Sequence, residues 1–135
     1  MDVGTIALGI GVACFLAASA TGCSRPVAAD QVHQRWVDRS RLDSCGDVVL
    51  EPGVALRQAG GSELSCLRKA FRSGSGAELA VHQFTTEGDP VISYVRVVPD
   101  GSVEVYVDST RDAFGSGRWS YSTCAGLASA FDGHC

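Results

Sequence analysis

Apolar residues along this chain fall into blocks of different spacing, and each spacing predicts an element. Val3 to Ala20 carries no charge and is apolar or small nearly throughout, which is the length and character of a signal-peptide core or a short anchor. Asp47-Val48-Val49-Leu50, stopped by Glu51-Pro52-Gly53, predicts a short opening strand and a turn. After Gly60-Gly61, Ser62 stands where a helix cap is expected. Leu64, Leu67, Ala70 and Phe71 then recur at three- and four-residue spacing until Gly74 and Gly76, with Arg68, Lys69 and Arg72 mostly on the opposite face.

Beyond that helix the period changes to two. Glu78 to Thr85 places Leu79 and Val81 on one side and Ala80, His82 and Phe84 on the other. Val91 to Val98 and Ser102 to Asp108 are joined by Pro99-Asp100-Gly101, a strong hairpin signal. In the second arm Val103, Val105 and Val107 face one way, and Glu104, Tyr106 and Asp108 the other. A glycine-bearing loop leads to a last strand, Arg118 to Cys124, and Leu127, Ala130 and Phe131 suggest a short closing helix. The expected fold is α+β: an antiparallel meander of three to five strands with one helix packed on one face.

With 135 residues, one domain is expected. The apolar amino-terminal block inflates the 45% hydrophobic content, and the rest is ordinary globular material. Removing that block takes Asp2 with it and leaves 14 acidic against 11 basic residues, a net charge of about −3. There is no basic stripe, which argues against nucleic acid as a partner.

The apolar block ends in Ala20-Thr21-Gly22-Cys23, followed by the polar Ser24-Arg25-Pro26. These residues resemble the lipobox of bacterial lipoproteins, which implies lipidation of Cys23 and cleavage before it. Ala20 stands where that pattern has a larger aliphatic residue, and Asp2 where it has Lys or Arg. Cleavage after Ala18-Ser19-Ala20 and an uncleaved membrane helix are the rival readings, and all three place the domain outside the cytoplasm. The resulting partition is a signal peptide over 1–22, a lipidated cysteine and polar tether over 23–44 that is helical in its second half, and a domain over 45–135.

Four cysteines remain, Cys45, Cys66, Cys124 and Cys135, and an even number in a small exported domain predicts two disulfides. Three pairings are open. Cys45 with Cys135 and Cys66 with Cys124 is favoured, on the expectation that the Cys66 helix lies on the sheet that ends at Cys124. Only His134 beside Cys135 approaches zinc-ligand spacing, and no cofactor motif is present.

Two polar segments exceed what a plain sheet needs: Thr85-Thr86-Glu87-Gly88-Asp89-Pro90, and Asp108-Ser109-Thr110-Arg111-Asp112-Ala113-Phe114-Gly115. In a meander both emerge at one end, so that Glu87, Asp89, Asp108 and Asp112 could converge with Arg111. Turn chemistry explains them: glycine admits positive φ, and aspartate bonds the neighbouring backbone. The sharper alternative is a hard-cation site such as Ca²⁺ takes, although no EF-hand spacing supports it. For catalysis, His82 is a lone strand histidine, no G-x-S-x-G elbow is present, and Glu87 with Asp89 could serve as an acid–base pair only beside a cleft.

The two motifs, the hydrophobic hairpin between them and the closing Ser122-Thr123-Cys124 resemble a family of small secreted or lipid-anchored proteins of Gram-positive bacteria, defined by a domain of unknown function. The likeness spans about residues 45 to 125, and Cys66 and Cys135 depart from its commoner pattern. It implies a compartment and a fold, with no activity to carry over. The function expected is therefore that of an envelope lipoprotein acting as a small binding or interaction module, its partners being the membrane, through the lipid, and an envelope protein or small ligand. The alternatives are a small enzyme using the loop carboxylates and a calcium-stabilised structural domain. Trp36, Trp119 and Tyr121 are candidate exposed anchors, although large aromatics are more often core.

Overall fold

The computed structural model describes residues 30–135; the apolar amino-terminal block and Cys23 lie outside the described residues. The elements run in the order α1 (Gln31–Val37), β1 (Ser44–Val49), α2 (Leu56–Ala59), α3 (Gly61–Ser73), β2 (Ala77–Phe84), β3 (Pro90–Val97), β4 (Val103–Asp108), β5 (Trp119–Cys124) and α4 (Leu127–Phe131). The five strands form one sheet in the order β1-β2-β3-β4-β5. This is the α+β meander that the period-two segments predict, with one addition: β1 pairs parallel to β2, whereas β2 to β5 are antiparallel throughout. Parallel neighbours need a crossover, and α3 supplies it.

The helix forms where its apolar spacing places it. Leu64, Leu67 and Ala70 are buried on the sheet against Leu79, Val95, Val97 and Val103. Phe71, one position further round, is left exposed. Ser62 is not the cap; Gly60 stands there without a side-chain bond, because α2 leads almost directly into α3. The helix ends at Gly74, whose left-handed φ of +66° allows its N–H to reach the Ala70 carbonyl. Gly76 must stay bare for a second reason, since a Cβ there would come within 3.0 Å of both Leu42 and Pro99.

The disulfides are Cys45–Cys66, with Cα atoms 5.6 Å apart, and Cys124–Cys135, at 4.3 Å. This corrects the pairing of Cys45 with Cys135 and Cys66 with Cys124. The error lay in the sheet's width. The crossover helix packs beside β1, so Cys66 meets Cys45 at one edge, while Cys124 sits on β5 at the other edge, four strand spacings or about 19 Å away. Cys135 reaches Cys124 because α4 turns the chain back within eleven residues. Two such bonds fit an oxidising, extracytoplasmic compartment, and no helix among the described residues is long and apolar enough to cross a membrane.

The second sheet face is covered too. Residues 30–44, read from sequence as the distal part of a tether, carry a helix that straddles the tether's middle instead of filling its second half, and α1 lies on the sheet instead of standing off it. Trp36 packs against Tyr94 (ring centroids 4.1 Å apart), Tyr106 (5.3 Å) and Trp119 (5.7 Å). Trp119 and Tyr106 are buried, and Tyr121 and Trp36 half-buried, so these aromatics are an inner layer.

Asp30 fixes the start of α1. Its carboxylate accepts from the N–H groups of Val32 and His33 in the helix, and its other oxygen accepts from the Trp119 N–H at 2.8 Å. Burial works to raise the carboxyl's pKa, but the three backbone donors outweigh it, Trp119 foremost, and the value is lowered. A carboxyl depressed in the folded state contributes stability that is full above the ordinary value of about 3.9 and is lost as pH falls through the lowered one. Acidification below about pH 4 is therefore expected to loosen α1 before the meander, read as faster amide exchange over residues 31–38 than over β3 and β4. Equal acceleration of both would show that Asp30 does not hold the helix.

Candidate functional site

Below the aromatic layer, α1 and the sheet share a network of charges. Glu78, Arg96 and Glu104 are direct cross-strand neighbours on β2, β3 and β4. Arg96, only 3% exposed, donates to Glu78 Oε2 at 3.2 Å, to Glu104 Oε2 at 2.7 Å and to the Ser40 carbonyl at 2.7 Å. Arg39 pairs with Glu78 at 3.0 Å and lies over the Trp36 ring, and the Tyr121 hydroxyl donates to Glu104. Every charge is answered, so this is an architectural joint that bolts α1 and the residues after it to the sheet. Sequence reading passed over it, although Arg96 is the one charged residue inside the apolar run from Val91 to Val98.

The polar loops do meet at one end of the sheet. The Asp89 carboxylate accepts from the Ala113 N–H at 2.9 Å, which clips the turn after β2 to the loop after β4. Inside the turn, the Thr85 hydroxyl accepts from the Asp89 N–H, and the Thr85 N–H donates to the Asp89 carbonyl. Asp108 accepts from the N–H and hydroxyl of Thr110, and Asp112 from the N–H groups of Phe114 and Gly115. These carboxylates are thus engaged in shaping backbone. Glu87 is exposed at the turn, and Arg111 makes no ion pair with Glu87 or Asp89. Among the described residues no group of three or more His, Cys, Asp or Glu side chains is assembled as a metal site would require. His82 pairs with Asp47 at the surface, 3.0 Å apart, on the same side of the sheet as Phe84.

A concavity lies elsewhere among the described residues, on the α3 face. The thirteen residues of α3 cover the half of that face away from the Thr85–Pro90 turn, and α2 and α4, at four and five residues, are too short to cover the rest. Between them runs a groove of about 820 Å³, within the range of small-molecule sites. Val81, Gln83, Ser93, Val95, Val105, Val107 and Ser122 form its floor, and Leu56 and Phe131 stand on opposite walls. Neither Glu87 nor Asp89 nor Asp112 lines it.

One ion pair clasps the two walls. Arg57 of α2 donates to Asp132, just after α4, from Nε at 2.6 Å and from Nη2 at 3.0 Å, and also reaches the Ala128 carbonyl. The hydrogen bond from Arg57 holds the Asp132 carboxyl below its ordinary range, against a smaller opposing effect of burial. The Cys124–Cys135 bond fixes the wall behind it. Sequence reading missed this site because α2 is a single turn with no periodicity to find, and because residues 75 positions apart carry the clasp.

Comparison with protein-family models, with curated proteins and with solved structures finds no match to this chain.

Proposed function

We propose that this chain is an exported envelope lipoprotein, anchored through Cys23, that works as a small binding module, with the groove between α2 and α4 as its ligand seat. The groove carries the reading. Four valines give the floor an apolar centre, Gln83, Ser93 and Ser122 add polar groups to it, and Arg57, Asp132 and His134 stand on the rim. Such a seat suits an apolar or amphiphilic ligand more than a charged one, because burying an unpaired charge on it would be costly. The paired disulfides, the polar segment after Cys23 and the resemblance to small lipid-anchored proteins support the compartment. An enzyme draws less support, since the loop carboxylates shape turns and stand apart from the groove.

The test uses the protein released from the membrane by Cys23→Ser and the apolar fluorophore N-phenylnaphthylamine. A single saturable site is expected, weakened at least tenfold by Ser93→Phe, which fills the floor, with the thermal midpoint close to that of the parent. Binding that does not saturate, or that Ser93→Phe leaves unchanged, would remove the groove from the function. Recovery of the Cys23 chain in the soluble fraction would remove the anchor.

A further inference from the structure

The loop from Ser109 to Gly117 is built, and what it presents is apolar. The Asp112 N–H bonds the Ser109 carbonyl, the Ser109 hydroxyl bonds the Arg118 carbonyl at 2.7 Å, and the clip from Asp89 holds Ala113. At its apex Phe114 is 80% exposed. A phenylalanine held out by a loop with this much internal bonding contributes nothing to the core.

Phe114 is not isolated. Phe84, the last residue of β2, is 51% exposed, and Val49, the last residue of β1, is 58% exposed. Because β1 and β2 run parallel, both side chains finish at the same end of the sheet as the Phe114 loop. Among the described residues, three of the six exposed large apolar side chains thus lie at this end of the sheet. The chain also joins the domain at this end: Asp30 bonds the N–H of Trp119, which opposes Asp108 at the root of the loop.

From these positions we infer that this end of the domain rests on the membrane, with Phe114 inserted among the lipid headgroups and Phe84 and Val49 beside it. The inference rests on the Cys23 anchor proposed above. Seven residue steps separate Cys23 from Asp30, a reach of at most about 25 Å even when fully extended. A lipid on Cys23 therefore holds the Asp30 end of the sheet at the bilayer surface, and the apolar apex is what meets it. Arg111 and Arg118 flank Phe114 with long stems whose charged ends can remain in water. Carboxylates at this end outnumber those two guanidinium groups, so insertion of apolar side chains drives the contact, not attraction to anionic headgroups, and a zwitterionic membrane suffices.

The experiment places a reporter at each end of the full chain incorporated into phosphatidylcholine vesicles, with and without bromine on the lipid acyl chains. Phe114→Trp is the probe. Val37→Trp, exposed at the far end of α1, is the control. Emission added by the tryptophan at 114 is expected to be blue-shifted and quenched at least twofold by the brominated lipid, while emission added at 37 stays solvent-like and unquenched. Flotation of the unsubstituted chain with the vesicles reports the anchor separately. A chain that floats but shows no bromine quenching at 114, or equal quenching at 114 and 37, overturns the docked orientation and leaves the anchor standing. A chain that does not float overturns both.

Discussion

Replacing Arg96 with alanine is expected to destabilise the domain by about 3–5 kcal/mol, measured by urea unfolding of the oxidised protein. The guanidinium is almost wholly withdrawn from water and is shared by Glu78, Glu104 and the Ser40 carbonyl. Its removal leaves the half-buried Glu104 without a counter-charge and Glu78 with Arg39 alone, and it also cuts the tie to the chain that follows α1. The loss comes chiefly from that orphaned charge. Replacing the pair together by Arg96→Met with Glu104→Gln, which leaves Arg39 on Glu78, is therefore expected to recover at least half of it. A loss under about 1 kcal/mol for the alanine variant would mean that water reaches the carboxylates and does the work assigned to Arg96.

The second large effect concerns the Cys45–Cys66 bond, which closes a loop of 21 residues. Chain-entropy arguments assign such a loop about 3 kcal/mol, so Cys45→Ser with Cys66→Ser is expected to lower the thermal midpoint by roughly 12 °C or more for a domain of this size. The bond also holds an edge strand. β1 is pinned to the rest of the sheet through β2 alone, and its pairing is interrupted between Ser44 and Asp47. Exchange protection of the β1 amides should accordingly fall much further than that of β3. A uniform fall across the sheet would show that the bond acts only on the unfolded chain. Removing Cys124–Cys135, which closes eleven residues, should cost somewhat less and should loosen the α4 wall of the groove.

The elements visible in the sequence were those with a long, unbroken period. The Leu64, Leu67 and Ala70 spacing, the alternation through β2 and β4, and the Pro99-Asp100-Gly101 hairpin all lead to the observed helix and strands. Asp89 and Asp112 were legible as turn formers on the strength of their neighbours, Gly88 and Gly115. What stayed hidden was decided by contacts between distant parts of the chain. Nothing local marks β1 as parallel, and without that the Cys66 helix cannot be placed beside Cys45. Nor does polarity near Trp36 distinguish a tether from a helix lying on a sheet: α1 meets the sheet through the half-buried Trp36 and Val32, and apart from Val37 its other residues are as polar as a linker's. The groove was illegible for the same reason, being the space that two very short helices leave uncovered.

The attachment of Asp30 to Trp119 spans 89 residues and joins the first described element to the last strand. It sets an order of events. The hairpins of β2 to β5 bring together neighbours in sequence and can form early, β1 must wait for the crossover through α3, and α1 has no completed surface to settle on until β5 is in place. Until then Tyr94 and Tyr106 lie open on a bare sheet face. A chain cut short before Trp119 would keep most of its strands and lose the cover over its aromatic layer, leaving a sticky intermediate for the quality-control proteases of whatever compartment receives it. Completion of the carboxy-terminal strand is thus what seals the amino-terminal helix, and the domain is protected only once its whole sequence has been delivered.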